Sequence, residues 1–128
     1  QEAVADSSRF NVFELADSAL AGDQARVIRI LHGLQAEGIE PVLVTWALAK
    51  DVRLLAAVSG NRNAADYVLK QAGVWQNRLP LYKSCLSRHS TKRLSRMLQR
   101  CAKIDEITKG QPGNVWDELQ TLGYLLAN

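Results

Sequence analysis

The residues best suited to chemistry in this sequence are Cys85, His89 and Cys101. Cys85 and His89 are four residues apart on a predicted helix, so they share a face, and Cys101 could approach from the next helix. A thiolate beside an imidazole can act as nucleophile and base, and three such ligands could bind zinc. The spacing lacks the CxxC pairs of common zinc sites, and only the distant His32 remains as a fourth ligand. We therefore expect no metal, and Cys101 is interpreted as a small apolar core residue.

The strongest charged feature is a basic band on the predicted helix that follows Ser90, joined by one residue before it. Spacings of three and four place its members on one side, opposite the core stripe of Leu94, Leu98 and Cys101. The band could contact phosphates or an acidic protein surface, and a solvated face is the simpler interpretation that we favour. It lacks the aromatic residues that stack on single strands. Its members are Arg88, Lys92, Arg96, Arg100 and Lys103, with Arg93 beside them.

Other catalytic patterns are missing from the sequence. Neither GxxxxGK[ST] nor GxGxxG occurs, so we expect no ATP binding or hydrolysis and no cofactor. The adjacent carboxylates Asp105/Glu106 and Asp117/Glu118 point about 100° apart on a helix, which does not suit acid–base catalysis. The sequence therefore predicts a chain that is not an enzyme.

Aromatic and apolar residues instead suggest contacts with a partner. Trp46 lies in an apolar helix and is expected in the core, whereas Trp75 and Trp116 lie beside loops and are candidates for partly exposed anchors. The last helix is more apolar than one buried stripe requires, which predicts packing against a neighbour as well as its own domain. The predicted contact residues are Trp75, Trp116, Leu122, Tyr124 and Leu125.

Length and composition fit one ordinary globular domain. The chain has 128 residues, of which 47% are hydrophobic and 23% charged, and two cysteines fit a reducing cytoplasm better than a disulfide framework. The net charge of +3 is compatible with nucleic acid nearby but does not establish it. The longest apolar run, 41–49, is too short to span a bilayer, and no signal peptide is evident. The chain starts at Gln1 and reads as a fragment.

Helix boundaries are marked clearly, and no alternating apolar run indicates a strand. Asn11 with Glu14 resembles a capping box, with Phe10 and Leu15 as a hydrophobic staple. Short connections predict that the first three helices fold back on one another as antiparallel hairpins. The predicted helices are about 11–21, 23–37, 41–59, 64–72, 80–88, 91–109 and one from 115. We expect an all-α, compact bundle of about six or seven short antiparallel helices.

Several segments, in their order along the chain, resemble the C-terminal domain of the delta subunit of the bacterial DNA polymerase III clamp loader. They are "ALAGD", "RILHGLQAEGIEP", "WALA", "GVWQNRLPLY", the Leu/Arg-rich helix from Thr91, and "VWDELQTLGYLLAN". Together they cover almost the whole chain, although none is a ligand-binding fingerprint.

This resemblance implies a collar, or oligomerisation, domain at residues 10–128, preceded at 1–9 by the end of a linker from an upstream domain. It implies partners among the other clamp-loader subunits, gamma/tau and delta-prime, in a pentameric assembly that loads the sliding clamp onto primed DNA. The resemblance also implies that the sliding clamp is contacted only through the missing N-terminal region and that DNA is contacted only indirectly. The assembly would be in the bacterial cytoplasm and not at a membrane. The alternative is a stand-alone nucleic-acid-binding domain that uses the basic helix 88–103.

Overall fold

Seven α-helices make up the computed structural model of this chain, which describes the backbone of residues 2–128 and the side chains of residues 12–128. They are α1 (Glu2–Ala21), α2 (Gln24–Ala36), α3 (Pro41–Ser59), α4 (Ala65–Gln71), α5 (Leu79–Arg88), α6 (Thr91–Thr108) and α7 (Val115–Leu126). Single 3₁₀ turns at Arg62–Ala64 and Gln76–Arg78 precede α4 and α5. No strand occurs among residues 2–128, and the predicted all-α fold is confirmed. None of the helices in this range combines the length and apolar character needed to cross a membrane.

Three helices begin directly after a residue whose side chain caps them, at the starts that the sequence predicts. The side chains of Asp23, Ser90 and Asn114 each accept a hydrogen bond of 3.1 Å from the backbone N–H three residues ahead. Pro41 occupies the first position of α3, where its missing N–H has no helical partner to lose. Each side-chain cap satisfies a donor that the helix itself leaves unpaired. The predicted starts of α2, α3, α6 and α7 are therefore confirmed.

The start of α1 differs from the expectation. Its backbone is helical from Glu2, because residues 2–10 contain no Gly or Pro to interrupt the helix. Asn11 therefore lies inside α1 rather than at its N-cap. Side chains of residues 1–11, including Phe10 of the expected staple, lie outside the described residues. Glu14, expected to reach back to Asn11, instead pairs with Arg26 of α2 at 3.4 Å.

Helix α3 is the centre of the core. It packs most extensively against α6 and also contacts α1, α4, α5 and α7. Burial of each large aliphatic side chain stabilises the fold by roughly 2 kcal/mol relative to its exposure. On α3 the stripe of Val44, Leu48, Val52 and Leu55 is buried. On α6 the predicted Leu94 and Cys101 are buried and Leu98 is partly buried, while Met97 and Ile104 complete the buried side.

Helix α2 packs against α1 and α7, so the expected hairpin of α2 with α3 is wrong. The α2–α7 contact is close because Gly123 of α7 has no side chain. A Cβ atom added there would lie 2.9 Å from Cγ1 of Val27. The Gln24 side-chain amide also donates to the carbonyl of Tyr124 at 3.2 Å. Helix α7 is therefore held between α2 and the core, with its residues Leu119, Leu122 and Leu126 fully buried.

Candidate protein interface

A groove of about 500 Å³ lies between α1, α3 and the loop that follows α4. Its rim carries three aromatic rings, Phe13, Trp46 and Trp75, which are 50%, 48% and 75% exposed. Buried side chains of Asp51 and Tyr82 line its base. We call this feature the aromatic groove. Three large aromatic side chains exposed around one concave surface are typical of a site that binds a partner.

Trp46 is on the rim, and the expectation that it would be buried is wrong. It follows Val44 by two positions, which places it about 200° around the helix from the buried stripe. The ammonium group of Lys50, one turn further along α3, lies 5.4 Å from the centre of the Trp46 ring. This cation–π contact holds the ring at the surface.

Trp75 is presented by a tight turn rather than by a helix. Gly73 adopts a φ of 90°, a left-handed conformation that residues with a Cβ atom avoid, and it directs the chain away from α4. The backbone at Trp75 is extended, and its carbonyl accepts from the N–H of Arg78 at 2.9 Å. The backbone of Trp75 is therefore held in place while its ring is exposed, as an anchor for a partner requires.

Arg78 joins the base of the aromatic groove to two helices. Its Nε donates to Oδ1 of Asp17 on α1 at 2.8 Å, and its Nη2 donates to Oδ2 of Asp51 on α3 at 3.2 Å. The hydroxyl of Tyr82 donates to Oδ1 of Asp51. The side chain of Asp51 is 3% exposed, so these two donors compensate a charge that would otherwise be unpaired.

The ionisation of these groups follows from their surroundings. Burial and then the negative charge of Asp51 raise the pKa of the Tyr82 phenol above its ordinary value, so the hydroxyl remains a donor at neutral pH. Burial of Arg78 acts to lower its pKa, but Asp51 and the other neighbours raise it overall. The network thus contains a neutral donor, a cation and a compensated carboxylate.

The sequence analysis did not single out Phe13, Asp51, Arg78 or Tyr82. One signal was present, because Asp51 follows Leu48 by three positions and lies beside Val52, within the apolar side of a predicted helix. A carboxylate at such a position needs a partner inside the fold. Its partners come from residues 78 and 82, which the sequence alone does not bring close to it.

A second surface lies along α7, where Tyr124 is 49% exposed. A shallow hollow of about 340 Å³ beside it is lined by Ile28, Asp117, Gln120, Thr121, Tyr124 and Leu125. Trp116 and Leu125 are partly buried against the core. Leu122 is fully buried inside its own chain, which corrects the expectation of a partner contact at this residue. We call Trp116, Tyr124 and Leu125 the α7 surface.

Arg88 does not belong to the basic band. Its guanidinium donates to backbone carbonyls at the ends of two helices, at 3.3 Å to Ala19, 3.0 Å to Leu20 and 3.3 Å to Leu126, and also to Asn128 at 3.1 Å. The last carbonyls of a helix lack partners in that helix and attract cations. Arg88 is therefore a structural residue that joins the C-terminal ends of α1 and α7.

The remaining cations of the band differ among themselves. Arg100 lies 3.3 Å from Glu118 of α7 and forms an ion pair with it. Lys92, Arg96 and Lys103 are exposed, and among the residues whose side chains the structure describes they have no ion pair. The exposed part of the predicted band is thus limited to these three side chains.

Cys85, His89 and Cys101 are buried and do not form an activated site. His89 has an extended backbone, which removes it from the face of Cys85, and its Nε2–H donates to the carbonyl of Leu126 at 2.8 Å. Burial raises the pKa of both thiols to about 11 and lowers the pKa of His89, the opposite of an activated thiolate–imidazole pair. Within the described side chains, no three His, Cys, Asp or Glu residues are grouped so that they could hold a metal.

Comparison with known proteins identifies the family of this chain. Residues 12–128 match the family described as the processivity clamp loader gamma complex DNA polymerase III C-terminal region. DNA polymerase III subunit delta of Escherichia coli is 32% identical over 133 residues, covering 100% of this chain and 38% of that protein. The Haemophilus influenzae subunit delta is 30% identical over 131 residues, covering 93% of this chain and 38% of that protein. The chain thus spans 38% of the length of these curated relatives. It belongs to the family of C-terminal domains of the DNA polymerase III clamp-loader delta subunit.

Proposed function

We propose that this chain is the collar, or oligomerisation, domain of a clamp-loader delta subunit. In this role it holds the subunit in the cytoplasmic pentameric assembly that loads the sliding clamp onto primed DNA. Its partners are the C-terminal domains of the gamma/tau and delta-prime subunits, while the clamp is contacted by a region upstream of this chain. The aromatic groove, with three exposed rings on a helical support, is the observation that carries the proposal.

The aromatic groove has the composition of a protein interface. Residues that dominate binding energy are enriched in Trp, Tyr and Arg and lie in pockets that become dry in the complex. Trp46 and Trp75 are of this type, and the exposed Lys50 and Asp17 provide a polar edge. The base is already hydrogen-bonded, so a partner that covers the groove would leave no buried charge without a partner.

The α7 surface supports the same role. In a ring of subunits, each member meets two different neighbours and uses a different patch for each. The aromatic groove and the α7 surface share no residue. The proposal assigns one neighbour to each patch, with Tyr124 and Trp75 as the exposed anchors.

Native mass spectrometry tests the proposal with this chain and the collar domains of the gamma/tau and delta-prime subunits. We expect a defined hetero-oligomer whose dissociation constant rises at least tenfold in Trp75→Ala or Tyr124→Ala. Tyr67→Ala is the matched control, since Tyr67 is 68% exposed on α4 and belongs to neither patch. An absence of association, at concentrations where the partner domains assemble with one another, would contradict the proposal, as would an equal loss in the control.

The alternative of a stand-alone nucleic-acid-binding domain is not proposed as the function. It relied on a continuous band from residue 88 to residue 103. Arg88 is bound to helix ends and Arg100 to Glu118, so that band is interrupted at both positions.

A further inference from the structure

The solvent-exposed side of α6 carries cations and hydrogen-bond donors over residues 91–103, and the exposed acid Glu106 follows on the same side, three positions after Lys103. Large exposed apolar side chains occur elsewhere in the described part of the chain, but none of them lies on α6. We call this side the α6 polar face, and it is made of Thr91, Lys92, Ser95, Arg96, Gln99 and Lys103, all exposed. It is separate from the aromatic groove and from the α7 surface.

Charge in this part of the chain has one sign. Residues 67–104 contain no Asp or Glu, while their basic residues are Lys70, Arg78, Lys83, Arg88, Lys92, Arg93, Arg96, Arg100 and Lys103. Carboxylates elsewhere pair with Arg78, Lys83 and Arg100, and carbonyls bind Arg88. The positive charge that remains without a close carboxylate is concentrated on α6.

The charges of α6 also oppose its helix dipole. A helix N-terminus favours acidic side chains, but the first turn of α6 contains Lys92 and Arg93 and no acid. Asp105 and Glu106 lie towards the C-terminus, where cations would be favoured. Lys92 and Arg96 are one turn apart, so they also repel each other. This arrangement reduces the stability of the helix, and an anion bound at its N-terminal half would relieve the repulsion.

We infer that the α6 polar face binds the phosphate backbone of double-stranded nucleic acid without reading its sequence. Phosphates are contacted by Lys and Arg together with Ser, Thr and Gln, which is the composition of this face. Lys92 and Lys103 are about 16 Å apart along the helix axis, enough for the three cations to contact different phosphates. This inference goes beyond the proposed function, because it concerns a different surface and a different partner.

The composition of the face favours nucleic acid over an acidic protein. A protein interface is centred on aromatic or aliphatic anchors, which the α6 polar face lacks. It also lacks aromatic rings on which the bases of a single strand could stack. A duplex, whose phosphates are accessible while its bases remain paired, is therefore the partner that fits.

The test is binding of a short labelled DNA duplex to the chain, followed by fluorescence anisotropy between about 50 and 200 mM salt. Three phosphate contacts give a slope of about −3 for the logarithm of the binding constant against that of salt concentration. We expect Lys92→Glu/Arg96→Glu to reduce the magnitude of this slope by about 2 and to weaken binding at least tenfold at the lowest salt.

Arg29→Glu/Lys70→Glu is the matched control, because it changes the net charge equally at exposed positions on α2 and α4. This control should keep the slope of the unmodified chain. In the Lys92→Glu/Arg96→Glu variant an acid in the first turn of α6 favours the helix dipole, while the like-charge repulsion between positions 92 and 96 is retained with the opposite sign, so the Tm should not fall, which separates lost binding from unfolding. An unchanged slope in Lys92→Glu/Arg96→Glu, or an equal loss in the control, would overturn the inference. Equally tight binding of poly-glutamate would overturn it in favour of an acidic protein.

Discussion

The Nη2 atom of Arg78 lies 3.2 Å from Oδ2 of Asp51, a carboxylate that is 3% exposed at the base of the aromatic groove. This pair joins the turn that precedes α5 to the central helix α3. The Nε of the same guanidinium reaches Asp17 on α1. The side chain of Arg78 therefore joins the three elements that form the groove. The position of the turn that carries Trp75 depends on these contacts.

The first prediction concerns this pair. Asp51→Ala removes the buried acceptor of Arg78 and of the Tyr82 hydroxyl, leaving Asp17 as the other acceptor of Arg78, so the free energy of unfolding should fall by about 3 kcal/mol. Urea denaturation measures the change. Asp66→Ala is the control, because its 3.0 Å pair with Lys83 is exposed and its removal should cost less than about 1 kcal/mol. Similar losses in the two variants would show that the buried network is not special.

The second prediction concerns alkaline pH. Because the pKa of Tyr82 is raised in the folded state, the unfolded chain releases this proton first as the pH rises above about 10. The resulting stabilisation is complete below pH 10 and is lost above it, by up to about 1.4 kcal/mol per pH unit. Tyr82→Phe lacks this component, so its pH profile should be flatter than that of the unmodified chain in the same range.

The buried thiols Cys85 and Cys101 also have raised pKa values, but they are present in both proteins and cancel in the difference. The difference between the two pH profiles therefore reports Tyr82. Parallel profiles for the unmodified chain and Tyr82→Phe would contradict the assignment.

The third prediction compares two helical glycines. A Cβ atom at Gly123 would lie 2.9 Å from the stiff side chain of Val27, so Gly123→Ala should destabilise the fold by about 1–2 kcal/mol despite the better helix propensity of Ala. At Gly33 a Cβ atom meets nothing within 4 Å, so Gly33→Ala should stabilise by about 0.5–1 kcal/mol. Thermal unfolding measures both changes. Val27→Ala should restore part of the loss in Gly123→Ala, and a lack of rescue would refute the close approach.

The fourth prediction separates two arginines that the sequence placed in one band. Arg88→Gln removes charged hydrogen bonds to the ends of α1 and α7 and should cost about 2 kcal/mol of unfolding free energy. Arg96→Gln, at an exposed site, should change it by less than about 0.5 kcal/mol. Chemical denaturation measures the free energy of unfolding of both variants. Equal changes would contradict the structural role of Arg88 and favour its assignment to the exposed basic band.

Local sequence signals were sufficient for most of the fold. Asp23, Ser90 and Asn114 marked helix starts because a side-chain cap acts within three residues of its own position. The buried stripe of α3 followed from helical spacing alone. The start of α1 was placed too late, at Asn11. A residue that can cap a helix does not start one when the residues before it are already helical, as they are here from Glu2.

The candidate site was less accessible from the sequence, because it depends on long-range contacts. Trp46 was assigned to the core from its residue type, whereas its angular position opposite Val44 puts it on the surface. Arg88 was grouped with its neighbours by spacing, but carbonyls nearly 70 positions away determine its role. The expectation that Leu122 contacts a partner followed from the apolar character of the last helix. That character does not show which side of the helix faces the core.

The junction at Arg88 has a mechanical consequence. A tension that separates α1 from α7 would load the Arg88 guanidinium and its carbonyl acceptors, which lie at 3.0–3.3 Å, together with the direct packing of the two helices. Hydrogen bonds of this kind fail after a small displacement because they require a short distance and good alignment, whereas apolar contacts can slide. The first and last helices of the domain are thus fastened by a stiff, brittle link, and they would move as one unit until it breaks.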